Sequence, residues 1–213
     1  MNTDDLITML ASGPDVRVRR PSARATLLPL AAALLASTII VLAGLGMRAD
    51  LAIAATLPPF WIKLAFTLAL AAAGTLALKR LSTPGARSAA LPFLLAAPVL
   101  LIWCAGGTML WQAAPELRAG LFWGGTWRTC PPLIALISLP LFAAALHLAR
   151  SLAPTRLRLA GAAAGIAAGA AAAAVYCLHC PEASPVFVGF WYLLGMAIPA
   201  ALGALIGPRV LAW

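Results

Sequence analysis

Acidic side chains are scarce in this chain: six Asp and Glu stand against 15 Lys and Arg in 213 residues, and none of the six falls inside a long apolar run. Proton-coupled carriers and ion pumps need ionisable groups at membrane depth, so transporters of that kind are disfavoured, and a small-solute or metal permease with them. Histidine is limited to His147 and His179. There is no phosphate-binding glycine loop, no Ser-His-Asp pattern and no HExxH, so any catalytic reading has to rest on the four cysteines. Charged residues make up only 10% of the sequence and hydrophobic ones 63%, with a mean hydropathy of +0.97, more apolar surface than a soluble fold can hide. The net charge of +9 does not point to nucleic acid, because the basic residues form short clusters between apolar runs and do not cover one polar face.

What the sequence holds in quantity is apolar runs. Six of them, at 25–47, 58–78, 89–111, 131–149, 159–178 and 186–207, are long enough to cross about 30 Å of hydrocarbon, where a helix satisfies its own backbone hydrogen bonds. The expected fold class is an all-α membrane protein: a six-transmembrane-helix bundle over residues 25–213 in a lipid bilayer, preceded by a short cytoplasmic N-terminal segment at 1–24. The first run has 23 residues, against about 7–15 for the apolar core of a cleaved signal peptide, so it is expected to remain as an anchor. Lys63, about one turn into the second run, reads as a side chain snorkelling to the interface.

Positive residues are retained on the cytoplasmic side of a bacterial inner membrane. With both termini placed there, eleven of the 15 basic residues fall on the cytoplasmic side: Arg17, Arg19, Arg20, Arg24, Lys79, Arg80, Arg87, Arg150, Arg156, Arg158 and Arg209. Arg48, Arg118, Arg128 and Lys63 fall on the outer side, whose loops become 48–57, 112–130 and 179–185. Trp61, Trp111, Trp123 and Trp127 then lie near the outer boundary, where interfacial anchoring is a better reading than a ligand cage. Pro131 and Pro132 suit a first helical turn, whereas Pro140 and Pro199 predict kinks. Glycines four or eight apart, Gly161, Gly165 and Gly169 in the fifth run with Gly195, Gly203 and Gly207 in the sixth, predict close helix packing, within the chain by default or in a homodimer.

This topology separates the cysteines. Cys104 lies in the third run and Cys177 near the outer end of the fifth, while Cys130 and Cys180 are outside, each followed by proline. Two thiols at one depth in an oxidising compartment can pair as a disulfide or jointly capture a soft metal ion, and Arg128 and His179 are the nearby groups that could favour the thiolate. Cys177-Leu-His-Cys180 has CxxC spacing, which supports a membrane thiol-disulfide oxidoreductase with Cys130 as resolving partner and a quinone as electron acceptor, provided Cys177 is accessible.

At the N-terminus, Thr3 is a candidate N-cap, Asp4 and Asp5 fall in the first turn, and Leu6, Ile7 and Leu10 share one face. So short an amphipathic helix gains order by docking, and its acidic start favours a protein partner over anionic lipid.

The TDDLI opening with its arginine cluster, WRTCP at 127–131, SLPLF, LAPTRLRLAGAAAG, and HCPE followed by WYLLGM and GPRVL together resemble the NrsF family, negative regulators of sigma F. These are six-span inner-membrane anti-sigma factors. The resemblance implies a regulator and not an enzyme, whose N-terminal segment, with Thr3, Asp4, Asp5, Leu6, Ile7 and Leu10, holds an extracytoplasmic-function sigma factor. It also implies that Cys130 and Cys180 respond to heavy-metal or oxidative stress, with no resident cofactor beyond a transient soft metal ion at those cysteines. The chain lacks the HxxxCxxC motif of the soluble zinc-binding anti-sigma domains.

Overall fold

A computed structural model describes residues 2–12, 23–83, 89–152 and 154–212. The expectations attached to Arg17, Arg19, Arg20 and Arg87 lie outside the described residues. Among the described residues every regular element is helical. The first, α1 (Thr3–Ala11), is capped by Asn2 and not by Thr3: the Asn2 side chain accepts the Thr3 N–H at 3.1 Å, and Asp5 accepts the Asn2 N–H at 3.4 Å. Asparagine caps at least as well as threonine, so the helix starts one residue earlier than the Thr3 cap implies.

The first expected span forms α2 (Ala23–Ile39), continued by a π-helical stretch, Ile40–Leu45, and stopped by Gly46 at a φ of +78°, a conformation glycine adopts without penalty. A single short turn, α3 (Leu51–Ala54), leads to α4 (Pro58–Leu81), and α5 (Leu91–Gln112) follows. The connection after it, expected as an outer loop, contains a helix of its own, α6 (Pro115–Trp123). The fourth run is a bent pair, α7 (Cys130–Ile137) and α8 (Leu139–Ser151), turning by 45° at Ser138. Pro140 causes no lost hydrogen bond there, because it stands in the first turn of α8. α9 (Leu157–Tyr176) is straightforward; the last span is α10 (Pro185–Phe187), a π-helical stretch Val188–Tyr192, and α11 (Leu193–Val210), which runs unbroken through Pro199. Five of these helical stretches are long and apolar enough to cross a membrane, and the bent pair makes a sixth, so the six expected runs reappear in number and to within a few residues.

α9 is the centre of the bundle, between α4 and α11, with α8 against it as well. Its alanines and glycines let the neighbouring backbones approach to near contact. Gly161 faces the Gly203 carbonyl, Gly165 faces the Pro199 carbonyl, and a β-carbon on Gly74 of α4 would stand 2.7 Å from the Ala167 nitrogen. Because Leu157 meets Gly207 at one end and Gly169 meets Met196 further along, α9 and α11 run antiparallel. The glycine face is thus filled within the chain, which takes up the surface that the homodimer alternative requires.

Overpacking normally costs about 1–3 kcal/mol. The neighbour at Gly165 is main chain, which has no rotamer to yield, so Gly165→Leu should lie at or above the upper end of that range. Gly107 in α5 has nothing within 4 Å of the added carbon, so Gly107→Ala should be neutral or stabilise by up to about 1 kcal/mol. Thermal unfolding in detergent compares the two.

Candidate functional site

All three expected outer loops meet at one end of the bundle. The Arg48 N–H donates to the Leu178 carbonyl at 3.1 Å, the Gly125 N–H donates to Glu182 Oε1 at 2.7 Å, and His179 Nδ1 lies 2.9 Å from the Gly46 carbonyl, to which it donates in the Nδ1–H tautomer. A layer of rings covers this end: Trp123 and Trp127 each pack on Trp191, with centroids 5.5 and 5.1 Å away, and the Trp191 indole donates to the Phe122 carbonyl at 2.8 Å. Trp61 and Trp111 stay exposed.

At the same end of the bundle, Cys130 and Cys180 lie side by side. Cys130 is the first residue of α7, and its N–H donates to the Thr126 carbonyl at 2.9 Å. The prolines after it occupy turn positions that need no N–H partner. Cys180 ends a tight turn in which its N–H donates to the Tyr176 carbonyl at 3.0 Å, and Pro181 then turns the chain away from helix. The Cys130 thiol lies against the Cys180 sulfur, close enough to shift its ionisation, and the Thr126 hydroxyl stands 3.9 Å from that sulfur. Both cysteines have no exposed surface, so the residues expected in outer loops are not surface residues.

Lys63 completes the site, and its placement overturns the snorkelling expectation. The side chain is 1% exposed; it turns inward, donating from Nζ to the carbonyl oxygens of Cys180 at 2.9 Å and Glu182 at 2.8 Å, with the ammonium 5.4 Å from the centroid of the Tyr192 ring. Among the described residues no carboxylate pairs with it. A buried cation without a carboxylate favours any neighbouring group that can become an anion. The sulfur of Cys180 is that group: the hydrogen bond from Cys130 and then the Lys63 charge hold its thiol below the ordinary value, at about 6, against the opposing effect of burial.

The basic groups proposed from proximity in sequence are engaged elsewhere. Arg128 lies over the Trp127 ring at 5.0 Å, and His179 is bound to Gly46. Arg48, in contrast, reaches the site: its Nη1 donates to the Cys180 carbonyl at 3.3 Å while Nε and Nη2 grip Asp50 at 2.7 Å each. Cys177 is buried and donates to the Ala173 carbonyl of its own helix at 3.2 Å, so the accessibility that the CxxC reading requires is not met; Cys104 is exposed on α5, away from the pair. Among the described residues no three His, Cys, Asp or Glu side chains cluster as metal ligands, so a metal would find the two sulfurs without a third such ligand. Lys63 and Arg48 are the functional residues that sequence reasoning missed. The signal for Lys63 was present, as the one Lys, Arg, Asp or Glu inside any of the six apolar runs; for Arg48 there was none.

The family described as negative regulator of sigma F, NrsF, matches residues 10–213. The chain belongs to the NrsF family. Over 213 residues, the whole of both chains, it is 49% identical to a protein of Azospira oryzae named probable anti-sigma-F factor NrsF. Over 215 residues, again the whole of both, it is 36% identical to the anti-sigma-F factor NrsF of Caulobacter vibrioides. No solved structure matches. The NrsF match thus contains the full cysteine site, while most of α1 precedes the matched range and is covered by the two full-length relatives.

A depressed thiol value means that the reactive thiolate persists at neutral pH and is lost as pH falls. The ultraviolet absorbance of the thiolate, read as the difference between the parent and Cys180→Ser in a Cys104→Ser, Cys177→Ser background, should therefore titrate below the ordinary thiol range, and Lys63→Met should move that midpoint upward. A wild-type midpoint near the ordinary thiol value of about 8.5 would contradict the geometry.

Proposed function

We propose that this chain is an inner-membrane anti-sigma factor that holds an extracytoplasmic-function sigma factor through its cytoplasmic residues 1–24 and releases it when Cys130 and Cys180, on the periplasmic side, react. The observation that carries the reading is the buried pair itself. Two cysteines from different parts of the chain touch each other beside a lysine, at the bundle end remote from the start of the first span. Family membership supports the regulatory role, and both relatives are named as anti-sigma-F factors. The positive-inside rule supports the orientation.

On the cytoplasmic side, α1 offers the sigma factor an acidic first turn, Asp4 and Asp5, and exposed apolar side chains, Leu6 and Ile7. Thr3 opens the helix, and Leu10 lies in its last turns. A helix of nine residues is marginal alone and would be completed by its partner.

On the outer side, the Cys180 thiolate attacks a peroxide, breaking the O–O bond and becoming a sulfenic acid as the alkoxide leaves and takes the Cys130 proton. The Cys130 thiolate then displaces hydroxide, which is protonated to water. One S–S bond forms, two electrons pass to the peroxide, and one proton comes from solvent. Joint capture of a thiol-seeking heavy-metal ion by the same sulfurs is a second input of the same kind, without a resident cofactor.

The test is capture of purified sigma F by the detergent-solubilised protein. The full chain should retain sigma F, a chain lacking residues 1–24 should not, and Cys130→Ser and Cys180→Ser should retain it but release at least several-fold less after peroxide. Failure of the full chain to bind sigma F would end the reading.

A further inference from the structure

Two cations from different spans converge on one oxygen. Lys63 of α4 and Arg48, just beyond the first span, both donate to the Cys180 carbonyl, at 2.9 and 3.3 Å. Further bonds fasten the same junction: Lys63 to the Glu182 carbonyl, the Arg48 N–H to the Leu178 carbonyl, and His179 to the Gly46 carbonyl. The turn from Leu178 to Glu182 is therefore gripped by the outer end of the first span and by the second. Cys180 cannot shift its main chain toward Cys130 without pulling on both or breaking from both.

What those two spans lead to gives the junction its meaning. α4 is a single helix of 24 residues, carrying Lys79 and Arg80 in its last turn. From Lys63 to Lys79 it extends about 24 Å at 1.5 Å per residue. The first span runs back from Gly46 to Ala23, where the N-terminal segment enters. A lysine also brings a desolvation cost that methionine of similar length would avoid, so packing alone does not call for a cation at residue 63.

We infer that Lys63 and Arg48 are the positioning residues that carry a change at Cys180 into the first two spans, by holding its carbonyl oxygen. This rests on the proposed role of the cysteine pair as the input and of residues 1–24 as the output. Disulfide formation draws Cys180 toward Cys130; the carbonyl moves with it, and the two donors bring the outer ends of both spans along. Without the donors the sulfurs still react, but the spans stay where they are.

The experiment uses the full chain in lipid nanodiscs with purified sigma F, in a Cys104→Ser, Cys177→Ser background. The oxidant is diamide, which accepts two electrons and two protons and becomes a hydrazine as the S–S bond forms. The Lys63→Met, Arg48→Met double variant should bind sigma F as the parent does when reduced; it should form the same Cys130–Cys180 disulfide, more slowly because its Cys180 thiol is raised, so release is compared once mass spectrometry shows oxidation complete in both. After oxidation the double variant should release at least fivefold less sigma F. Each single variant should lie between, and Lys63→Arg, which keeps a cationic donor, should recover at least half of the release. Parental release from the oxidised double variant would overturn the inference. So would loss of sigma F binding by the reduced single variants, Arg48→Met included, since that would assign both residues to holding the resting fold. If the oxidised parent keeps its sigma F, or Cys130→Ser releases it equally well, the underlying reading of the cysteine pair fails, and the relay fails with it.

Discussion

A lysine ammonium buried in an apolar helix bundle must find oxygen or negative charge within reach of its four-carbon stem, because its desolvation is otherwise far too costly. In this chain it finds two main-chain carbonyls beside the Cys180 thiol, and the end of the bundle that holds the cysteine pair is arranged around that requirement. Lys63 brings the cysteine turn down onto α4, its charge lowers the Cys180 thiol, and its place over Tyr192 ties the start of the last span to the same point. The rings of Trp123, Trp127 and Trp191 pack on one another at the same end.

Such a site needs a scaffold that holds α4, α9 and α11 close enough for the side chains to meet. The small residues of α9 provide it, since Gly161 and Gly165 admit the backbone of α11 and Gly74 admits that of α9. The cost is a helix with few large side chains to grip its neighbours, and close backbone contact is what replaces them. Close packing also makes the bundle a poor medium for gradual deformation, so a change at one end is better transmitted by helices moving as units. For an NrsF-family protein with the proposed roles, a loop that holds two spans by hydrogen bonds is a suitable point at which to start such a movement.

Much of the architecture was readable from hydropathy alone, because an apolar run of sufficient length has few options besides a helix. The bend at Ser138 was foreshadowed by Pro140, and the α9–α11 contact by the spacing of glycines. Less legible features depended on tertiary partners. The π-helical stretches at Ile40–Leu45 and Val188–Tyr192 leave no periodic signature, and α6 is too short and mixed in character to stand out within its loop. The juxtaposition of Cys130 and Cys180 followed from topology, but their burial did not, because it depends on how distant loops fold over one another. Lys63 was misread because snorkelling describes a lone helix in lipid, whereas this helix presents the residue to a neighbouring turn with free carbonyls. Arg48 counted only as a charge for topology, and its contact with a residue in a distant loop is invisible in one dimension.

The proposed coupling of the two ends is tested most directly by hydrogen exchange at residues 2–12 of the full chain in nanodiscs with sigma F bound, before and after oxidation of the cysteine pair. Coupling predicts slow exchange across α1 in the reduced complex and fast exchange after oxidation, with the change abolished by Cys130→Ser. Equal protection of α1 in the reduced and oxidised protein, with the Cys130–Cys180 disulfide verified by mass spectrometry, would contradict it.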